Sequence, residues 1–242
     1  MMQQRHPDRD AAGATEPAAR LGRLAFRLPT TLGAGHDRRG IFAVADIGHA
    51  QPALAYAPTG AEVRDPLRLV LLLHGAGGSA QQGLELLRPV ADEHRLLLVA
   101  PTSHDATWDV IAGRYGPDVR VIDQLLDEVS GSFPVRSLTI GGFSDGASYA
   151  LSLGITNGDI FDSVIAFSPG FAAPTVGHGD PRIYVSHGTA DQVLPIDRCS
   201  RRLVPQLRQS GYDVRYDEFD DGHALPDHIV RAAMTWLRSA EK

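Results

Sequence analysis

Cysteine is nearly absent from this chain: Cys199 stands alone among 242 residues. An intramolecular disulfide is excluded, and so is a metal or cluster site built on paired thiolates. Cys199 itself falls in a charged helical stretch with no base beside it, which points to packing. Long apolar runs are missing too, since none approaches the roughly twenty residues needed to cross a bilayer. The first twenty residues hold no apolar core of the length a signal peptide needs. They are rich in Ala, Arg, Asp and Pro and are expected to form a disordered arm over 1–20. A soluble, cytoplasmic protein without membrane insertion is the expectation. Positive charge is in deficit, with a formal net charge of −6. Nucleic acid is therefore not an expected partner, and Arg198, Arg201, Arg202 and Arg208 are expected to form a solvated helix face. The chain has ten histidines but no His-Glu-x-x-His spacing, so no metal is expected. Internal repeats and low-complexity blocks are absent, and the oligomeric state is open.

What the chain does contain is regular alternation. Hydrophobic residues make up 43% of the sequence, enough for one substantial core, and a single domain over 21–242 is expected. Apolar, β-branched segments predict strands near 24–28, 53–57, 69–73, 96–100, 137–140, 163–167, 183–186 and 214–219. Helical spacing predicts helices over 80–93, 119–129, 145–156, 197–209 and 226–240. Strands and helices in alternation make an α/β fold with a mostly parallel sheet, flanked by helices and without a large lid domain. The first strands can pair antiparallel. In such sheets the site lies at the carboxyl ends of the strands.

Four segments placed just after strands carry chemistry. The strand at 137–140 runs into Gly142-Phe143-Ser144-Asp145-Gly146 and then into a helix. This is the pattern of a nucleophile elbow, where small residues two before and two after the serine let the backbone bend sharply and present the hydroxyl. The strand at 183–186 leads to Asp191, which suits the acid of a triad, and the strand at 214–219 leads through Gly222 to His223, which suits the base. Upstream, the run 67–73 ends in His74-Gly75-Ala76-Gly77-Gly78, a loop whose glycines allow close approach to a substrate. The N–H groups of Ala76 and Asp145 are the expected oxyanion donors. The loop lacks the Lys-Ser/Thr ending of a Walker loop and the spacing of a dinucleotide fingerprint, so no cofactor is implied. Asp197 reads as a helix cap or dipole partner, Asp220 and Asp221 as solvent-facing, and His74 and His187 as hydrogen-bonded to loop backbone. His228 is expected on the exposed side of the last helix.

Taken in order, Leu73-His74-Gly75, Gly142-Phe143-Ser144, Asp191 after Gly188, and Gly222-His223 resemble the α/β-hydrolase superfamily. Within it the chain is similar to the compact serine esterases of the carboxylesterase/phospholipase (acyl-protein-thioesterase-like) type, with some resemblance to the polyester-depolymerase and feruloyl-esterase branch. Asp145 departs from the pattern, because many members carry Gln there, followed by a second Gly. The resemblance implies a serine hydrolase that cleaves small-molecule esters of short or medium acyl chain through an acyl-enzyme. Ser144 would be the nucleophile, His223 the base and Asp191 its orienter. Thioester, lysophospholipid and polyester or feruloyl ester hydrolysis are the nearest alternatives, and a non-catalytic ligand-binding protein on the same fold is the alternative of a different class. Phe143, Trp108 and Phe171 are the expected lining of the substrate pocket, in an open cleft.

Overall fold

The computed structural model describes residues 15–29, 37–44, 52–60 and 65–239. Its sheet is built around the most apolar segments of the chain. β3 (Leu67–Leu73) and β4 (Leu96–Ala100) are buried along their full length, as strands covered on both faces must be. The two-residue strand period sends Leu69, Leu71 and Leu73 into one core cluster and Val70 and Leu72 into the other. β3 pairs in parallel with β4 on one side and with β5 (Val135–Phe143) on the other. Parallel pairing continues through β6 (Ser163–Phe167), β7 (Arg182–Gly188) and β8 (Val214–Phe219). Beyond β4, β2 (Ala53–Ala57) and β1 (Gly40–Val44) run antiparallel, and the order is β1-β2-β4-β3-β5-β6-β7-β8. Helices α4 (Pro117–Ser132), α5 (Asp145–Thr156) and α6 (Ser200–Gln209) supply apolar residues to the first cluster. Helices α2 (Ala80–Glu85), α3 (Arg88–His94) and α7 (Asp227–Arg238) supply the second. This is the expected helix-flanked, mostly parallel α/β architecture. Among the described residues no helix is long and apolar enough to cross a membrane.

The structure departs from the sequence expectations in five places. Residues 24–28 form no strand, although Leu24 and Phe26 are buried in alternation. Their backbone donors are met by side chains instead of a neighbouring strand. The Leu24 N–H donates to Asn157 Oδ1 at 3.0 Å and the Phe26 N–H to Asp123 Oδ1 at 2.8 Å, which pins the segment across α5 and α4. β1 was not expected, its first four residues being only half-buried or exposed. The predicted helix 80–93 divides into α2 and α3, because Pro89 lacks the N–H that an uninterrupted helix requires and sits in the first turn of α3. α6 begins at Ser200 and not at 197, because the Arg198 and Cys199 N–H groups turn back onto the Pro195 carbonyl. Finally, within the span 1–20 expected to be a disordered arm, residues 1–14 lie outside the described residues and Glu16–Arg20 form helix α1. Its Ala19 is fully buried and its Glu16 pairs with Arg120 of α4.

Candidate active site

The strand β5 ends in Phe143 and helix α5 begins at Asp145, so Ser144 occupies the whole turn between them. Its φ of 57° and ψ of −122° lie where non-glycine residues are rarely found, and such strain persists only where the surroundings impose it. Two glycines impose it by letting backbones touch. A Cβ on Gly142 would stand 2.4 Å from the Gly146 carbonyl oxygen, and one on Gly146 would stand 2.1 Å from the oxygen of Leu73. The Ser144 N–H is held by the Phe167 carbonyl at 2.9 Å, and the Ser144 carbonyl accepts from Ala147 and Ser148 at the start of α5.

Asp191 and His223 come together because their loops are stitched backbone to backbone. The Thr189 N–H donates to the Phe219 carbonyl at 2.8 Å and the Ala190 N–H to that of Asp221 at 2.9 Å. Gly188 permits this approach, since a Cβ there would stand 2.2 Å from the Gly222 oxygen. Asp191 Oδ2 then receives His223 Nδ1 at 2.6 Å, while Oδ1 accepts the Val193 and Leu194 N–H groups at 2.9 and 2.8 Å. Burial pushes the Asp191 carboxyl pKa up, but the bonds from His223, Leu194 and Val193 and the charge of the imidazole outweigh it, leaving the pKa below its ordinary value. The His223 ring packs on Phe143 with centroids 4.7 Å apart, which sets the imidazole beside the residue that precedes Ser144. With Nδ1 committed to the carboxylate, Nε2 is the nitrogen left for a proton exchanged with a hydroxyl.

The loop after β3 approaches the serine from the other side. A Cβ on Gly75 would meet the Cβ of Ser144 at 3.4 Å, so the loop backbone lies in contact with Ser144. Its shape is fixed by His74, whose Nδ1–H donates to the Gly75 carbonyl at 2.7 Å. Nε2 accepts the Ser103 N–H at 3.0 Å. That pairing specifies the neutral Nδ1–H tautomer, and burial lowers the ring's pKa against the opposing pull of the Gly75 carbonyl. Further along, the Gly77 N–H is taken by Ala106 and that of Gly78 by Gly75. Asp145 follows Ser144 directly at the start of α5, and Ala76 follows Gly75 in the loop that touches Ser144. The Asp145 carboxylate is turned to the loop after β4, where Thr107 Oγ1 donates to it at 2.6 Å.

Of the three aromatic residues expected to line a pocket, the structure removes one. Trp108 is fully buried, stacked between His74 and Tyr149, and its Nε1–H donates to the His74 carbonyl at 2.8 Å. It is a strut behind the loop and does not line a cleft. Phe143 is half-buried against His223, and Phe171 is 36% exposed. His74 and His187 both make the loop hydrogen bonds expected of them. Asp197 does not cap α6 but pairs with Arg201. Asp220, Asp221 and His228 are exposed, and Cys199 is buried. The sequence reading did not foresee two contacts: Thr107 with Asp145, and His187 Nε2 with Asp191 Oδ2 at 3.2 Å. The second had a signal, because the pair stand four apart with Gly188 between them just after a strand.

A family model described as phospholipase/carboxylesterase matches residues 118–240, about half of the chain, including the elbow and both loops that carry Asp191 and His223. No curated protein matches the chain. Solved structures do. The esterase PE8 superposes with a TM-score of 0.63 at 23% identity, covering 76% of this chain and 96% of its own. The S-formylglutathione hydrolase FrmB from Staphylococcus aureus gives 0.64 at 16% identity, over 81% and 96%. FphF, a fluorophosphonate-binding serine hydrolase of Staphylococcus aureus, gives 0.59 at 16%, over 85% and 99%. At these identities the likeness is one of fold. Because the family match covers half of the chain, including the segments that carry Ser144, Asp191 and His223, this chain belongs to the phospholipase/carboxylesterase family and is a hydrolase with the α/β-hydrolase fold.

Proposed function

We propose that the protein hydrolyses small carboxylic esters of short or medium acyl chain, with Ser144, His223 and Asp191 as its catalytic triad. The observation that carries this reading is the 2.6 Å bond from His223 Nδ1 to a buried Asp191, with the imidazole packed on Phe143 next to a serine held at positive φ. His223 Nε2 takes the Ser144 proton as the hydroxyl oxygen bonds to the ester carbonyl carbon. The Asp191 carboxylate stabilises the imidazolium and keeps Nδ1 protonated. His223 then gives its proton to the departing alkoxide, leaving an acyl-enzyme, and next takes a proton from the water that releases the acid. The N–H groups of Ala76 and Asp145 receive the oxyanion, each worth about 2.7–4 kcal/mol in the transition state. Because the Asp145 carboxylate is engaged by Thr107, its backbone N–H serves the oxyanion while its charge is partly satisfied elsewhere. Phe143 and Phe171 border the acyl or alcohol portion. The segment 169–181 that bears Phe171 is irregular and largely exposed, a shape suited to an open cleft for small, soluble esters.

The test is turnover of p-nitrophenyl acetate, butyrate, octanoate and palmitate by the wild type and by Ser144→Ala, with fluorophosphonate labelling of both. Activity that is lost in the variant, peaks at short chains, and accompanies labelling at Ser144 is the expected outcome. A long-chain optimum would redirect the reading to lipid or acyl-protein substrates, and an unlabelled, inactive wild type would refute it.

A further inference from the structure

Asp191 Oδ2 is approached by two histidines. His223 Nδ1 lies 2.6 Å away and His187 Nε2 lies 3.2 Å away, on a carboxylate with no exposed surface. His187 is itself completely buried on β7, and its hydrogen bonds specify its proton. Nε2 stands 2.8 Å from the Leu194 carbonyl oxygen, which can only accept, so Nε2 carries the hydrogen. The neutral ring then has Nδ1 as an acceptor, and Ser200 Oγ, at 2.6 Å, donates to it. Burial, the largest influence, disfavours the imidazolium, and the charge of His223 acts in the same sense, so the ring is held neutral against the pull of Leu194 and Asp191. The Nε2–H is directed at Leu194 O, and Asp191 Oδ2 lies 3.2 Å from the same nitrogen, close enough to feel the N–H dipole. Leu194 in turn gives its own N–H to Asp191 Oδ1 at 2.8 Å, closing a ring of bonds around the carboxylate.

We propose that His187 is a positioning residue for the triad: its Nε2–H, oriented by Ser200, fixes the Asp191 carboxylate in line with His223 and withdraws part of the charge that Asp191 presents to the base. The inference rests on the triad reading above and adds to it a second, non-reacting histidine. The other ionisable groups around His187 do not duplicate the contact. Glu218 faces it across the β7–β8 ladder but is tied to Arg201, and Cys199 and Arg198 stand at the start of α6. The sign of the effect follows from the geometry. A carboxylate relieved of the His187 N–H dipole keeps more charge for the imidazolium of His223, so the acid limb of the activity profile moves up. A loss of packing alone would lower activity or stability without moving the pH profile in that direction.

The experiment compares kcat, kcat/KM and melting temperature from pH 5 to 9 for the wild type, His187→Phe, His187→Gln and Ser200→Ala, using p-nitrophenyl butyrate. His187→Phe is expected to lower kcat about tenfold, a fraction of the roughly hundredfold loss that a misplacement of about 1 Å causes, because the carboxylate loses a group that holds its orientation. Its acid limb should move up by about half a pH unit. His187→Gln, which keeps an N–H donor near the Nε2 position, should restore the wild-type limb. Ser200→Ala, which leaves the histidine in place but frees its tautomer, should show a smaller shift in the same direction and keeps the test alive if His187→Phe fails to fold. An acid limb in Ser200→Ala and His187→Phe that stays at the wild-type position, or moves down, overturns the proposal. A Ser144→Ala control that retains turnover would instead overturn the triad reading, so the two failures are distinct.

Discussion

Replacing Gly146 by Ala tests the idea that the site is assembled by backbone contact. The added methyl would lie 2.1 Å from the Leu73 oxygen and 2.5 Å from the His74 oxygen. Carbon and carbonyl oxygen tolerate little under about 3.3 Å, so the first turn of α5 and the end of β3 must separate by about 1 Å. Neither contact is with a flexible side chain, so the strain cannot be relieved by a rotamer change. Overpacking of this kind destabilises by about 3 kcal/mol at its upper range. For a chain of this size that is a fall of roughly 6–12 °C in melting temperature. The displacement also carries Ser144 away from Gly75 and Ala76, and a misplacement of about 1 Å lowers turnover about a hundredfold. Gly131→Ala, in α4 with nothing within 4 Å of the new Cβ, is the control and should be neutral or slightly stabilising. Differential scanning fluorimetry and p-nitrophenyl acetate turnover read both quantities. If Gly146→Ala matches Gly131→Ala in melting temperature and kcat, the close-approach argument is wrong.

Trp108→Phe separates a strut from a pocket wall. It strands the buried His74 carbonyl, at about 1–3 kcal/mol, and loosens the loop that carries Ala76, so kcat should fall with KM nearly constant; a rise in KM at unchanged kcat would show that the indole touches substrate. Asp109→Asn addresses a buried carboxyl whose pKa is pushed up to about 6, first by burial and then by the charge of Asp118, against bonds from the Asp118 and Gly116 N–H groups. A raised carboxyl binds more protons folded than unfolded, so its contribution to stability declines as pH rises from about 4 to 6 and leaves a penalty of about 3 kcal/mol above that window. The variant should gain melting temperature over the wild type at pH 8 and lose that advantage near pH 4.5, and parallel curves would sink the assignment.

The fold was legible where burial decides it. β2, β4, β6 and β8 fall at their predicted ends, and so does α5, because continuous apolar runs and turn residues bound them. What sequence alone could not reveal is satisfaction at a distance. Leu24 and Phe26 alternate like a strand, yet their backbone donors go to Asn157 and Asp123, more than ninety residues away. Local pattern carries no trace of such partners. Trp108 was misplaced for the same reason: an aromatic residue after a strand end reads equally as pocket or core, and only its bond to the His74 carbonyl decides.

The site shows the same division. Ser144, Asp191 and His223 were proposed from spacing, because each type of loop end needs a particular small residue beside it. Glycines at 142, 146 and 188 are the legible trace of backbones that must touch. The side chains that hold those loops in place, His74, Trp108, Thr107 and His187, leave a weaker trace, since they act through hydrogen bonds to residues on other loops and helices. A parallel sheet brings the carboxyl ends of β3, β5 and β7 to one edge whatever the loop sequences are. The edge thus sets which loops meet, the glycines set how closely, and buried polar side chains with one fixed tautomer set the orientation within that contact. On this reasoning, substitutions at the glycines should act on folding and turnover together, whereas substitutions at His187 or Trp108 should act more on turnover, through atoms that never meet the substrate.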